Sequence, residues 1–135
     1  MLKKQLQLRQ NDGFYFPLFN LKGMRSSVTP FWGGDLKSDH HHYLIAPTSE
    51  LSLYEHTTSR NLFMEVDGTM YLFNGQRDYQ QDDEILVEAG LLYHKITRKS
   101  KVITTEITSF IPLDDMVELH HIKLSNQHHK RLKLN

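Results

Sequence analysis

Between Val102 and Leu124 the chain reads VITTEITSFIPLDDMVELHHIKL, and this stretch limits the possible folds more than any other. Ile103, Ile107 and Ile111 lie four apart, with Thr105 and Ser109 between them. Successive side chains of a strand point to opposite faces, so these five share one side. Pro112 cannot donate to a ladder and ends the strand, and the paired aspartates Asp114-Asp115 suit a turn. Downstream, Met116 to Leu124 carries Val117, Leu119, Ile122 and Leu124, whose parity changes at His120-His121. That change predicts a β-bulge or a strand that switches its buried face. The expectation is an antiparallel pair with a tight corner.

The rest of the chain follows the same rule. No window keeps an i, i+3, i+4, i+7 apolar stripe, whereas short alternating runs between turn residues recur. Gln5-Leu6-Gln7-Leu8 alternates and Asn11-Asp12-Gly13 turns. Phe14 to Phe19 reads as an aromatic strand whose internal Pro17 favours an edge. Asn20-Leu21-Lys22-Gly23 is a second turn, Ser27 to Asp39 is loop-like, and His41 to Ala46 is a short strand stopped by Pro47. Asn61 to Val66 and Thr69 to Phe73 flank Asp67-Gly68, the strongest hairpin signal, since a type I′ turn needs positive φ. Asn74 to Asp83 is polar and reads as a surface loop. Glu84 to Glu88 and Leu91 to Thr97 bracket a turn at Ala89-Gly90, and Arg98-Lys99-Ser100 turns into the central pair. Arg131-Leu132-Lys133-Leu134 begins another strand. The sum is all-β: roughly eight to ten short strands, an antiparallel β-sandwich or half of a larger one.

Bulk properties exclude several function classes. Lys plus Arg and Asp plus Glu are 16 each, a formal balance of zero, which argues against a nucleic-acid partner. There is no cysteine, so disulfide scaffolds and thiolate chemistry are out. Met1-Leu2-Lys3-Lys4-Gln5-Leu6 leads into no apolar signal region, and no run approaches the roughly 18 to 20 apolar residues of a membrane span. A soluble cytoplasmic protein, without a membrane partner, is the expectation. The strand beginning at Arg131 points to a piece of something longer.

Candidate chemistry is sparse. His40 and His42 on a strand would share a face and could ligate Zn²⁺, but no second motif at metal spacing accompanies them. His120-His121 and His128-His129 are adjacent pairs that would point to opposite faces, so no metal site is expected. Asp114-Asp115, Asp82-Asp83-Glu84 and Glu118 supply carboxylates. An inverting glycosidase needs two carboxyl groups about 6.5 to 9.5 Å apart, which turn neighbours do not provide. Their ordinary work is bonding to local amides. No catalytic residue is expected, and no G-x-S-x-G context supports a triad. Pro30-Phe31-Trp32-Gly33-Gly34-Asp35 holds the single tryptophan. An exposed Trp32 could stack on a sugar ring beside the Asp35 carboxylate, with the glycines admitting a ligand to the backbone. Otherwise the indole plugs one end of a sandwich and the glycines serve a bend. Arg60 could clamp phosphate or carboxylate, though a surface ion pair is the commoner fate of such an arginine.

Thr108 to Asp115, then Val117-Glu118, then Ile122-Lys123-Leu124-Ser125-Asn126 resembles the amino-terminal β-domain of the cellobiose and chitobiose phosphorylases of glycoside hydrolase family 94. Met116 stands where that family often has proline. The resemblance is clearest over the last third and extends weakly across Pro30 to Phe63. It implies a galactose-mutarotase-like supersandwich, incomplete here, spanning residues 1–135, with the catalytic helical barrel downstream and absent. It implies an enzyme that attacks a β-linked gluco-oligosaccharide with inorganic phosphate, needs no cofactor, and releases α-glucose 1-phosphate with inversion. The linkage stays open, with a lean toward an oligoglucan. Trp32, Asp35 and Arg60 would be the residues here closest to sugar. The implied partners are the downstream domain and a second subunit of a homodimer. The rival is a free-standing carbohydrate-binding module using Trp32 with Tyr15 or Tyr93; a third option is an assembly protein that adds strands at open edges.

Overall fold

The computed structural model describes residues 4–7, 15–47, 49–50, 59–74, 77–127 and 130–135. Its strands are β1 (Lys4–Gln7), β2 (Phe16–Phe19), β3 (Arg25–Val28), β4 (Leu36–Lys37), β5 (Tyr43–Ile45), β6 (Phe63–Val66), β7 (Thr69–Leu72), β8 (Glu84–Gly90), β9 (Tyr93–Lys99), β10 (Ile103–Phe110) and β11 (Leu119–Asn126). They form a five-stranded sheet β1-β8-β9-β10-β11, a four-stranded sheet β2-β3-β4-β5 and the hairpin β6-β7. Among the described residues the architecture is nearly all β, and the strand pairings are antiparallel. The turn expected at Asn11-Asp12-Gly13 and the pair His128-His129 lie outside the described residues.

The central stretch explains the large sheet. Ile103, Thr105, Ile107, Ser109 and Ile111 are all buried, as their alternation requires. Register carries one apolar row across the sheet, with Val87 opposite Ile96, Ile96 opposite Ile107 and Ile107 opposite Ile122. Polar rows flank it on the same face: Arg98 and Thr105 on one side, His94, Ser109 and His120 on the other. The outer face carries ion pairs, with Glu106 bound by Lys123 at 3.0 Å and Lys95 at 3.5 Å.

β10 and β11 pair without interruption from Ile103–Asn126 to Phe110–Leu119, so there is no bulge at His120-His121. The parity puzzle has another answer. His120, not Leu119, takes the inward position, because its ring bonds to Ser109 and Glu118. Leu119 is left half-exposed on the outer face. Nor is the corner tight: residues 111–118 separate the strands, and Asn20 holds the link by donating to the carbonyls of Pro112 and Asp115 at 3.0 and 2.8 Å.

Three further expectations shift: the turn expected at Arg98-Lys99-Ser100 falls later, because β9 runs through Lys99. β8 runs through Gly90, and the turn falls at Leu91-Leu92, with Leu92 at φ 60°. Gly90 belongs to the strand because the Tyr93 ring lies over it; a Cβ there would sit 2.0 Å from that ring. The segment Asn74 to Asp83 is not a surface loop throughout. It forms a 3-10 turn at Asp78–Gln80, and Asn74 and Gln80 are buried. The Gln80 amide bonds both ways to the Leu72 backbone, at 2.8 and 3.0 Å, imitating a strand partner. Arg98 completes the lock, bonding Asp83 at 2.9 Å and the carbonyls of Asn74 and Gln80.

Asp67-Gly68 turns the β6-β7 hairpin with φ of 48° and 82°, as a type I′ turn requires. The terminal segment near Leu134 lies antiparallel to β6, exchanging backbone bonds between Asn135 and Glu65. One core joins the three sheets: Leu18 and Val28 from the four-stranded sheet, Met64 and Val66 from the hairpin, and Ile103, Ile107 and Ile111 from the large sheet, with Trp32 among them. This is a β-sandwich.

Candidate functional site

Trp32, Asp35 and Arg60, the three residues singled out above, come together in the fold. The loop from β3 to β4 folds back tightly: Thr29 and Gly33 pair through the backbone, and the Trp32 amide donates to the Thr29 carbonyl. Trp32 takes φ 64° and Gly34 φ 106°. A Cβ on Gly34 would lie 1.6 Å from the Ser27 carbonyl oxygen, so glycine here admits the chain's own backbone.

Arg60 reaches into this loop. Its guanidinium donates to the carbonyls of Gly33, Gly34 and Asp35, and to the hydroxyls of Ser26 and Ser59. The Glu118 carboxylate closes the set, taking Arg60 Nε at 2.7 Å and Nη2 at 3.0 Å. The Arg60 and Glu118 side chains expose only 8% and 4% of their surface. Arg60 forms an ion pair in place of an anion clamp, but a buried one and not the surface pair expected. The bidentate geometry occupies the fork that would grip phosphate.

Glu118 is the hub that sequence reasoning did not single out as such. It also accepts the Ser26 hydroxyl and His120 Nε2, the latter at 3.0 Å. Burial alone raises its pKa, but the bonds from His120, Arg60 and Ser26 and the Arg60 charge outweigh this and hold it at about 2. The signal was there: Glu118 closes the corner phrase after Pro112, where a carboxylate leaves a turn to enter a strand.

Ser109, His120 and Glu118 form a relay, with Ser109 Oγ 2.7 Å from His120 Nδ1. The order imitates a nucleophilic triad, yet Ser109 has no exposed surface and Glu118 already faces Arg60. A substrate cannot reach this hydroxyl. The relay holds the β10–β11 corner instead. Trp32 packs edge-on against His120, ring centroids 4.9 Å apart, and is 4% exposed. The indole plugs the sandwich and offers no stacking face to solvent.

His40 and His42 sit in the bend before β5, not on a strand; His42 pairs with Asp39 at 2.8 Å, and His40 lies against Arg25. Among the described residues no group of three or more His, Asp or Glu side chains is placed to hold a metal ion. None of the described helices is long and apolar enough to cross a membrane.

Fold and site together define a β-sandwich built around a buried polar brace. Residues 74–135, which carry β8 to β11 with Ser109, Glu118 and His120, match the family model described as glycosyl hydrolase 94, supersandwich domain. The match likens this part of the chain, 62 of its 135 residues, to that supersandwich domain. Trp32, Asp35 and Arg60 lie outside the matched residues. No curated protein matches the chain.

Proposed function

We propose that the chain is the amino-terminal scaffold of a carbohydrate phosphorylase that cleaves β-linked gluco-oligosaccharides with inorganic phosphate and releases α-glucose 1-phosphate. The match of residues 74–135 to the supersandwich family carries this reading. In it, phosphate attacks the anomeric carbon and a carboxylic acid of a downstream helical barrel protonates the leaving oxygen, so a single acid suffices. Two interior carboxylates of the scaffold are held in ion pairs, Glu118 with Arg60 and Asp83 with Arg98.

The corner also presents a surface for the barrel or a second subunit. A shallow, open apolar depression of about 520 Å³ lies between Leu91, Tyr93, Phe110, Pro112 and Leu113. Leu91 and Leu113 are exposed beside it, and Met116 and Val117 are exposed on the same link. Grouped apolar exposure of this kind marks contact with another surface.

The test is a phosphorolysis assay on the product of the whole reading frame that contains these residues. Phosphate-dependent release of glucose 1-phosphate from cellobiose or a β-1,2-oligoglucan is the expected result. Release of none of these products by a folded, full-length protein would refute the reading.

A further inference from the structure

The outer face of the four-stranded sheet carries a second, open feature. Register aligns Phe19 with Arg25, Arg25 with Lys37 and Lys37 with Tyr43, one row across β2, β3, β4 and β5. The row ends in two exposed aromatic rings, Phe19 at 51% and Tyr43 at 45%. Two cations sit directly opposite each other between them, an arrangement that costs stability unless something offsets it. Lys37 Nζ lies 4.4 Å over the Tyr43 ring. Arg25 rests its guanidinium against His40, at 3.1 and 3.3 Å.

Beside this row lies a groove of about 430 Å³, walled by Pro17, Phe19, Arg25, Ser27, Asp35 and Lys37. Its volume is near the lower end of the roughly 300–1,000 Å³ of small-molecule sites. That leaves room for one ring rather than a chain. The Asp35 charge acts on Lys37, whose pKa is raised first by the Tyr43 contact and also by Asp35. Asn20, at the floor, uses both ends of its amide elsewhere: on Lys22 and Met24, and on Pro112 and Asp115. It rigidifies the groove without contributing a free group.

We propose that this groove is a carbohydrate subsite that takes one neutral hexopyranose unit, the end residue of a gluco-oligosaccharide. A hexopyranose has an apolar C–H face and a rim of hydroxyls that both donate and accept. The Phe19 ring offers the apolar face its partner. Arg25 and Lys37 donate charge-assisted bonds to the rim, and Asp35, 8% exposed behind the wall, adds its negative charge. The mixture of signs favours a polyol over an anion, because an anionic group drawn to Arg25 and Lys37 also meets Asp35. The choice of a glucosyl unit rests on the proposed function; the recognition of a sugar ring rests on the groove.

The experiment is an amide NMR titration of the 135-residue chain with cellobiose, glucose and glucose 1-phosphate. Saturable shifts with glucose or cellobiose, confined to residues 17–27 and 35–37, are expected. Phe19→Ala and Lys37→Met, both at the open row, each weaken this binding about tenfold or more. Failure of neutral sugars to saturate at tens of millimolar overturns the subsite, as does unchanged affinity in Phe19→Ala. Saturation by glucose 1-phosphate with none by glucose overturns the neutral-sugar assignment. The phosphorolysis assay keeps the two readings apart. Groove binding without phosphorolysis in the full-length protein removes the phosphorylase and leaves the subsite; phosphorolysis without groove binding does the reverse.

Discussion

Arg60 and Glu118 stand 58 residues apart in sequence and meet in the interior through two parallel bonds, Nε to Oε2 at 2.7 Å and Nη2 to Oε1 at 3.0 Å. The pair is where the β3–β4 loop, the approach to β6 and the β10–β11 corner converge. Removing one partner leaves the other charged and buried, so Arg60→Ala or Glu118→Ala should each cost about 3–5 kcal/mol. Arg60→Met combined with Glu118→Leu should cost less than either single change, because neither then strands a charge. Urea unfolding of the three variants measures this; a double variant less stable than both singles would refute it.

Acid should unfold the chain in two limbs. His94 is fully buried and packs against Phe16, with ring centroids 5.2 Å apart. Desolvation is the main cause that lowers its pKa, to about 3, against 6.5 for an open histidine. The unfolded chain therefore takes up a proton that the folded chain refuses, and stability falls as pH drops from 6.5 toward 3. Glu118 adds a second limb: its contribution is fully present above pH 4.5 and is lost as pH falls toward 2. His94→Phe should flatten the first limb while leaving the second. Urea midpoints from pH 7 downward decide it, and an unchanged upper limb in His94→Phe would remove His94 from the account.

Trp32 should report a dry environment. Its native emission should be blue-shifted, resist iodide quenching and move red on unfolding, since the indole is 4% exposed. Trp32 does not line the groove beside Phe19, so sugar binding there should leave its emission unchanged. A native spectrum like that of free tryptophan would contradict the packing against His120.

Glycine substitutions should separate strain from collision. Gly23 has φ 95° and open space where a Cβ would stand, so Gly23→Ala should cost about 1–2 kcal/mol from backbone conformation alone. Gly34→Ala adds a clash with the Ser27 carbonyl and should prevent stable folding. Thermal melts of the two variants give the comparison; similar losses would contradict it.

The strands were legible where alternation and turn chemistry agreed. Ile103 to Ile111 announced its buried face, and Asp67-Gly68 its hairpin, because both signals are local. The misplaced features depended on partners far along the chain. Gly90 looked like a turn until Tyr93 needed the space above it. The polar run Asn74 to Asp83 looked solvated until Arg98 and Leu72 used its amides and carbonyls. Trp32 and Asp35 on one loop and Arg60 on another segment were separate candidates in the sequence, and the fold brings them together. What composition does not encode is that all three are buried: Arg60 met Glu118, Trp32 met His120, and Asp35 backs the wall of the groove beside Phe19.

The link between β10 and β11 has a consequence for the time course of folding. Its anchors are remote, with Asn20 bonding across 95 residues to Asp115 and Ser26 across 92 to Glu118. Contacts of such span close large loops before they return any stabilisation, and topologies rich in them fold slowly. The strands on either side can zip as a hairpin early, but their connector has no fixed course until residues 20, 26 and 60 arrive. The most specific phrase in the sequence is thus among the last to take its shape.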